Sequence, residues 1–273
     1  VFKTGGESEE LPNTLPETIE DGKFVDMNFD NSDLTDSEGK ITAKSSGSVT
    51  FEDGFKGKAI HIASGSKNYV DLGKNDAMNL DENDSLTMNF WIYSNSANGD
   101  SSIISNKNWS SGGNPGWYVG FRLSNLNSVG VNAADGSTRI DYDGYDSFAG
   151  NWKMVTVTFD RTEQVTKIYI DGKESANKDL SSIGSMQTDY SVKIGSDGTG
   201  NYRCPNFLMD NLQMWNRALT DDEILAIYGT AVYEEDTTDY DAKLNELISQ
   251  AESMLEEYET AQQGFTYDEE NAA

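Results

Sequence analysis

The 273-residue chain has one cysteine, Cys204, and one histidine, His61. A single thiol excludes an internal disulfide and a multi-cysteine zinc site, and a single imidazole excludes paired-histidine metal chemistry. Basic residues are also scarce: 20 lysines and arginines face 47 aspartates and glutamates, a formal charge of −27. Such a chain repels phosphate backbones and anionic headgroups, which argues against nucleic acid as a partner. No apolar run approaches the ~20 residues of a bilayer span, so membrane insertion is not expected, and the first residues lack the pattern of a signal peptide. What is abundant is 25 glycines, 13 tyrosines, 11 phenylalanines and 5 tryptophans among many asparagines, aspartates and serines, with only 4 prolines. That is the profile of an all-β domain rich in turns.

Residues 1–23 hold two prolines and no apolar period, and read as a linker or flexible leader. Residues 231–273 carry one lysine against 13 acidic residues and read as an acidic helical tail. Between them, in 24–230, short alternating or β-branched runs are separated by Gly, Asn and Asp: Lys58–Ile62, Ser85–Tyr93, Ser101–Ser105, Tyr118–Leu123, Ser128–Asn132, Trp152–Phe159, Thr166–Ile170, Ser191–Ile194 and Phe207–Trp215. Nine strands without intervening helices predict a two-sheet antiparallel sandwich, with Phe90, Val155, Val157, Phe159 and Ile168 in its buried layers. Asp171-Gly172 after Ile168–Ile170 predicts a two-residue hairpin turn. Thr220 and Glu223 are spaced as a capping box opening a short closing helix that Gly229 ends. A second, amphipathic helix follows from Tyr240 to about Tyr258, with Leu244, Leu247, Ile248, Met254 and Leu255 on its stripe.

The order of these fragments resembles the concanavalin A-like jelly-roll domains of the laminin-G-like type, common in large secreted bacterial proteins. The resemblance rests on Phe29-Asp30, Phe55 to Ile60, Ser85 to Ile92, Ile103 to Lys107, Gly116-Trp117-Tyr118, Asn151 to Asp160, Ile168 to Lys173, Met209 to Leu212 and Trp215 to Thr220. Leu208 stands where the family often has glycine. The tail, from Lys243 to Glu252 and then Phe265-Thr266-Tyr267, is similar to the start of a small helical-bundle module. The resemblance implies an extracellular or cell-surface protein whose leader is absent, with further domains of the same parent chain as partners. It also implies a structural Ca²⁺ held by Asp30, the Gly57 carbonyl and Asp210, against the alternative that the two acids are solvated strand ends.

Hydrolases of this fold place two carboxylates on one strand in a Glu-x-Asp-x-x-Glu pattern, roughly 5–6 Å apart. No predicted strand has that pattern, so the region is not expected to be an enzyme. His61 lies in an apolar run as a packed strand residue. Asp141 to Asp146 reads as a solvated acidic turn. A sugar site needs exposed rings flanked by Asn, Asp or Arg. Two stretches have that mixture: Asn106 to Trp117, carrying Trp109 and Trp117, and Asp197 to Arg203, carrying Asn201, Tyr202 and Arg203. Trp109 sits among small polar residues and is expected at the surface, where its removal should leave stability nearly unchanged. Trp117 precedes a strand directly, so a place in the core competes with a place in the site. The sequence thus points to a non-catalytic carbohydrate-binding module of a secreted or surface-attached bacterial multidomain protein, with a glycan-active enzyme as the expected parent. The alternative is a structural spacer or protein-adhesion domain with no sugar site.

Overall fold

The computed structural model describes residues 11–96, 99–123 and 125–270, apart from the side chains of residues 203–204, 234–243 and 262–270. Strands β1 (Lys23–Met27), β2 (Lys44–Ser46), β3 (Val49–Asp53), β4 (Lys58–Ile62), β5 (Gly65–Ser66) and β6 (Tyr69–Gly73) come first. They are followed by β7 (Leu86–Ser96), β8 (Ser101–Ser105), β9 (Gly116–Phe121), β10 (Ser128–Ala134) and β11 (Arg139–Tyr145). The chain continues through β12 (Lys153–Asp160), β13 (Val165–Ile170), β14 (Lys173–Asp179), β15 (Val192–Ile194), β16 (Arg203–Cys204) and β17 (Asn206–Trp215) to helix α1 (Asp221–Glu270). Leu15–Tyr228 forms one compact unit, and the helix from Gly229 onward belongs to a second.

Two antiparallel sheets face each other as a jelly-roll sandwich. One runs β14-β13-β12-β7-β17-β4-β3 with β1 added against β17, and the other runs β11-β10-β9-β8-β15-β6-β2. Because side chains alternate along a strand, every second residue of each sheet enters the shared core. Phe90, Val155, Val157, Phe159 and Ile168 from the first sheet are fully buried there, as predicted, against Trp117, Val119, Phe121, Val129 and Val131 from the second. All nine predicted runs form strands. Asp171 and Gly172 make the hairpin turn between β13 and β14 with φ of 51° and 77°, the left-handed pair such a turn requires.

Three boundaries differ from the sequence reading. The domain begins before residue 24: Ile19 is buried, its carbonyl accepts the Trp215 indole N–H at 2.6 Å, and the Thr18 carbonyl accepts Arg217 at 2.7 Å. The acidic stretch Asp141–Asp143 is part of β11 and not a turn, because it pairs along the whole of β10. Helical backbone is continuous from Asp221 to Glu270, where two helices were expected. Gly229 does not end it, since an interior glycine costs only about 1 kcal/mol and no proline follows. The expected stripe of Leu244, Leu247, Ile248, Met254 and Leu255 is exposed throughout.

The start of α1 carries the predicted capping box. Thr220 N–H donates to Glu223 Oε2 at 2.9 Å and Glu223 N–H to Thr220 Oγ1 at 3.2 Å. Both Glu223 oxygens also accept Arg217, each at 2.8 Å, and Thr18 Oγ1 donates to Oε1 at 2.7 Å. The Arg217 guanidinium foremost holds this carboxyl down, to about 2. A depressed carboxyl pKa adds stability that is complete above its unfolded value near 4.5 and is lost as pH falls toward 2. Glu223→Gln should therefore lower stability at neutral pH by roughly 1–3 kcal/mol. It should also flatten the loss between pH 4.5 and 2 in a series of thermal melts; an unchanged acid limb would refute this role.

Candidate functional site

The two loop stretches that the sequence marked for sugar binding lie side by side on the outer face of the seven-stranded sheet. Asp197 joins them: its Oδ2 accepts the Trp109 backbone N–H at 3.0 Å, while Oδ1 accepts Thr199 Oγ1 at 2.6 Å and the Tyr202 N–H at 3.4 Å. A second aspartate, Asp100, joins their side chains. Its Oδ2 accepts both the Trp109 indole N–H at 3.0 Å and the Tyr202 hydroxyl at 3.2 Å. Trp109 is half-buried because its ring lies flat on Tyr118, with centroids 4.0 Å apart and planes 9° from parallel.

Beside this stack the outer positions of β9 to β11 are polar. Gly130 in β10 leaves room for Arg122, since a Cβ there would collide with Arg122 Cγ and Asp143 Oδ1. The Arg122 guanidinium meets Asp100 at 3.7 Å, Asp141 at 3.5 Å and Asp143 at 3.6 Å, and its centre is 5.8 Å from the Trp109 ring. Arg139, about half exposed, pairs with Asp141 at 3.1 Å. Burial, only partly offset by Arg122, raises the Asp143 carboxyl pKa, and the neighbouring Asp141 and Asp100 add to the rise. Lys107 is fully buried, its Nζ has no hydrogen-bond partner, and burial pushes its pKa down to about 7.

Of the predicted sugar-site residues, the structure brings Trp109 and Tyr202 together on Asp100, while Asn201 bonds only Thr199 within its own loop. Asn201 is exposed at the loop tip. The Arg203 and Cys204 side chains lie outside the described residues. Trp117 does not belong to the site: it is 0 % exposed in the core, its indole N–H donates to the Met78 carbonyl at 2.9 Å, and alternation from outward Tyr118 turns it inward. Sequence reasoning missed Asp100, Arg122, Tyr118, Asp143 and Asp141. Only the last two left a signal, an acid at every second position of a strand. Elsewhere, an open hollow of about 580 Å³ is lined by polar groups such as Asp76, Asp84, Asp160 and Arg217, with no aromatic ring to stack a sugar.

The three residues expected at a cation site also converge. Asp30 packs against Gly57, where a Cβ would collide with its carboxylate, and its Oδ1 accepts the Lys58 N–H at 2.9 Å. Asp210 Oδ2 accepts the Lys56 N–H at 3.1 Å. The same loop lays Phe55 flat on Trp91 at 3.5 Å. Asp210 is fully buried and its Oδ1 has no hydrogen-bond partner; burial, with Asp30 nearby, pushes its pKa up to about 7. A buried, unpaired carboxylate oxygen near a second carboxylate fits a hard cation, and the Gly57 carbonyl, which accepts the Gly54 N–H at 3.0 Å, has one lone pair left to offer. No cluster of three or more His, Cys, Asp or Glu side chains suited to a metal occurs among the described residues, so most other ligands here would be carbonyls or water.

The stack and the Asp100 bond overturn the expectation that Trp109 is dispensable for stability. Trp109→Ala should cost about 1–2 kcal/mol, from the lost aromatic contact and an unpaired Asp100 oxygen. Trp109→Phe should recover part of this by keeping the stack. Equal melting temperatures for wild type and Trp109→Ala would contradict the geometry.

Comparison with known proteins agrees with this architecture. The chain is similar to the binding domain of Paraclostridial Mosquitocidal Protein 1, with a TM-score of 0.64 at 17 % identity, covering 77 % of this chain and 52 % of that one. It is similar to a botulinum neurotoxin type C structure, described with cell entry dependent upon interaction with two ganglioside molecules (TM-score 0.60, 18 % identity, 78 % and 52 % covered). It also resembles the binding domain of botulinum neurotoxin DC in complex with rat synaptotagmin II (TM-score 0.59, 20 % identity, 78 % and 52 % covered). A curated relative, a non-toxic nonhemagglutinin of Paraclostridium bifermentans, is 22 % identical over 203 residues, which are 73 % of this chain but 16 % of that protein. The chain thus spans about half the length of these solved domains and a small fraction of the curated relative. The family model described as the concanavalin A-like lectin/glucanases superfamily, of laminin-G type, matches residues 64–225, and the chain belongs to that family.

Proposed function

We propose that this domain is a non-catalytic module that binds glycan on the outer face of its seven-stranded sheet. The observation that carries the reading is the half-buried Trp109 ring and the Tyr202 hydroxyl held on one carboxylate oxygen of Asp100. Around them stand Arg122, Arg139, Asp141 and Asp143 with partly exposed side chains. A pyranose offers an apolar face to a ring and a rim of hydroxyls to carboxylates and guanidinium groups, which is the composition of this face. The ganglioside interaction described for the type C neurotoxin supports a sugar ligand. The synaptotagmin II complex of a similar domain favours a protein ligand as the second reading. The relatives turn the parent from a glycan-active enzyme toward a multidomain protein of the toxin or toxin-associated kind, acting outside the cell that makes it. No helix among the described residues is long and apolar enough to cross a membrane.

A glycan array probed with the full chain tests this reading. A shallow site with one or two rings supplies dissociation constants of about 10 µM to 1 mM. Arg139→Ala should weaken binding severalfold with little change in melting temperature, because its side chain is 56 % exposed. A broad array without a ligand, together with capture of a protein receptor, would favour the second reading.

The same reading assigns Asp30, the Gly57 carbonyl and Asp210 to a structural Ca²⁺, supported by the unpaired Asp210 oxygen. A cation that binds only the folded state raises its unfolding free energy. Melting temperature should rise in Ca²⁺ relative to chelator, and Asp210→Asn should abolish the shift. No shift in the wild type, with no metal by elemental analysis, would end the assignment.

A further inference from the structure

The loop of residues 54–57, between β3 and β4, spans two features on the outer face of the eight-stranded sheet. In β7, Phe90 and Ile92 enter the core, so alternation turns Trp91 outward. Trp91 is nevertheless only 4 % exposed. The Phe55 ring covers it, with centroids 3.5 Å apart and planes 6° from parallel, and Tyr228 stands 6.0 Å away. On the neighbouring strand β17, Asp210 is the register partner of Trp91. The carboxylate and the indole thus lie side by side beneath one loop.

Every residue of that loop is committed to one feature or the other. A Cβ at Gly54 would fall 2.6 Å from Asp210 Oδ2, and the same oxygen accepts the Lys56 N–H at 3.1 Å. Gly57, at a φ of 52°, packs against Asp30, whose Oδ1 accepts the Lys58 N–H at 2.9 Å. Phe55 supplies the ring. The loop is therefore strung between two carboxylates that repel each other, and the buried Asp210 Oδ1 has no partner of its own. An ion shared by the two turns this repulsion into attraction and draws both anchors of the loop together.

We infer that Phe55 is a cation-dependent cap on Trp91: the loop seats its ring on the indole when Asp30 and Asp210 share an ion. This rests on the Ca²⁺ assignment above and adds what the ion controls. Removing the ion restores the repulsion between the anchors, and the indole face next to Trp152 opens to solvent. The dependence is reciprocal, since a seated ring holds the loop in place and so tightens binding of the ion.

A Ca²⁺ titration of the full chain, read by calorimetry and by indole fluorescence, is the test. The chain has 5 tryptophans, so the Trp91 signal is the difference between wild type and Trp91→Phe, which keeps a ring for Phe55. At a temperature below both melting transitions, passing from Ca²⁺ to chelator should move the wild-type emission to longer wavelength and raise its quenching by acrylamide. Trp91→Phe should show neither change. Phe55→Ala should weaken Ca²⁺ binding about three- to tenfold, as the loss of one aromatic stack implies, and Phe55→Tyr should restore it. If Trp91→Phe does not fold, this comparison of affinities decides alone. Ca²⁺ binding to the wild type without a Trp91 response, or equal affinity in Phe55→Ala, overturns the inference and leaves the Ca²⁺ assignment standing. No Ca²⁺ binding by the wild type removes the assignment and the inference with it.

Discussion

Trp117, Val119 and Phe121 in β9, and Val129, Val131 and Ala133 in β10, are drawn between the sheets because burial removes their apolar surface from water. With their direction fixed, the strand period leaves Tyr118, Gly120, Gly130 and Asn132 on the opposite face. The site is therefore a by-product of the core: Tyr118 is available to carry Trp109 only because Trp117 is not. Gly130 then accepts Arg122 flat against the sheet, and the guanidinium arrives among the outward acids of β11. A one-residue slip of β9 would put the Trp117 indole outside and the Tyr118 hydroxyl inside, so the core packing and the Trp109 stack fail together.

Two aspartates do for the loops what alternation does for the strands. Asp197 and Asp100 are distant in sequence, yet each accepts donors from both the Trp109 and the Tyr202 loops. This ties down long connections that pack few apolar side chains of their own. It also makes Trp109 a support of the loops, so its exposure is less than a free loop ring would have and its removal reaches into the scaffold.

The strands were legible wherever one face is apolar, and the capping box wherever Thr220 and Glu223 alone define it. What the sequence concealed lies where meaning depends on a partner strand. Asp141 and Asp143 look like a solvated turn until β10 pairs with them, and the polar run of β14 has no apolar period to announce a strand. Trp117 and Trp109 have similar neighbours in the chain, but the one-residue alternation that follows Gly116 sends one inward, and a distant tyrosine receives the other. Asp100 carries no local signal at all: its role comes from two donors, nine and 102 positions away. The residues expected at a cation site were reached by family resemblance, and the β4 and β17 pairing brings Asp210 to the loop at Gly57.

The edge strand β14 has a further consequence. Its seven residues, from Lys173 to Asp179, include two lysines, a glutamate and an aspartate, and six of the seven are exposed. A charged, fully polar margin offers its unpaired backbone to another chain only at the cost of crowding like charges, which protects the sandwich from edge-to-edge aggregation. It also disfavours capture of an extended peptide as an added strand on that side, leaving ligands to approach through the faces and loops.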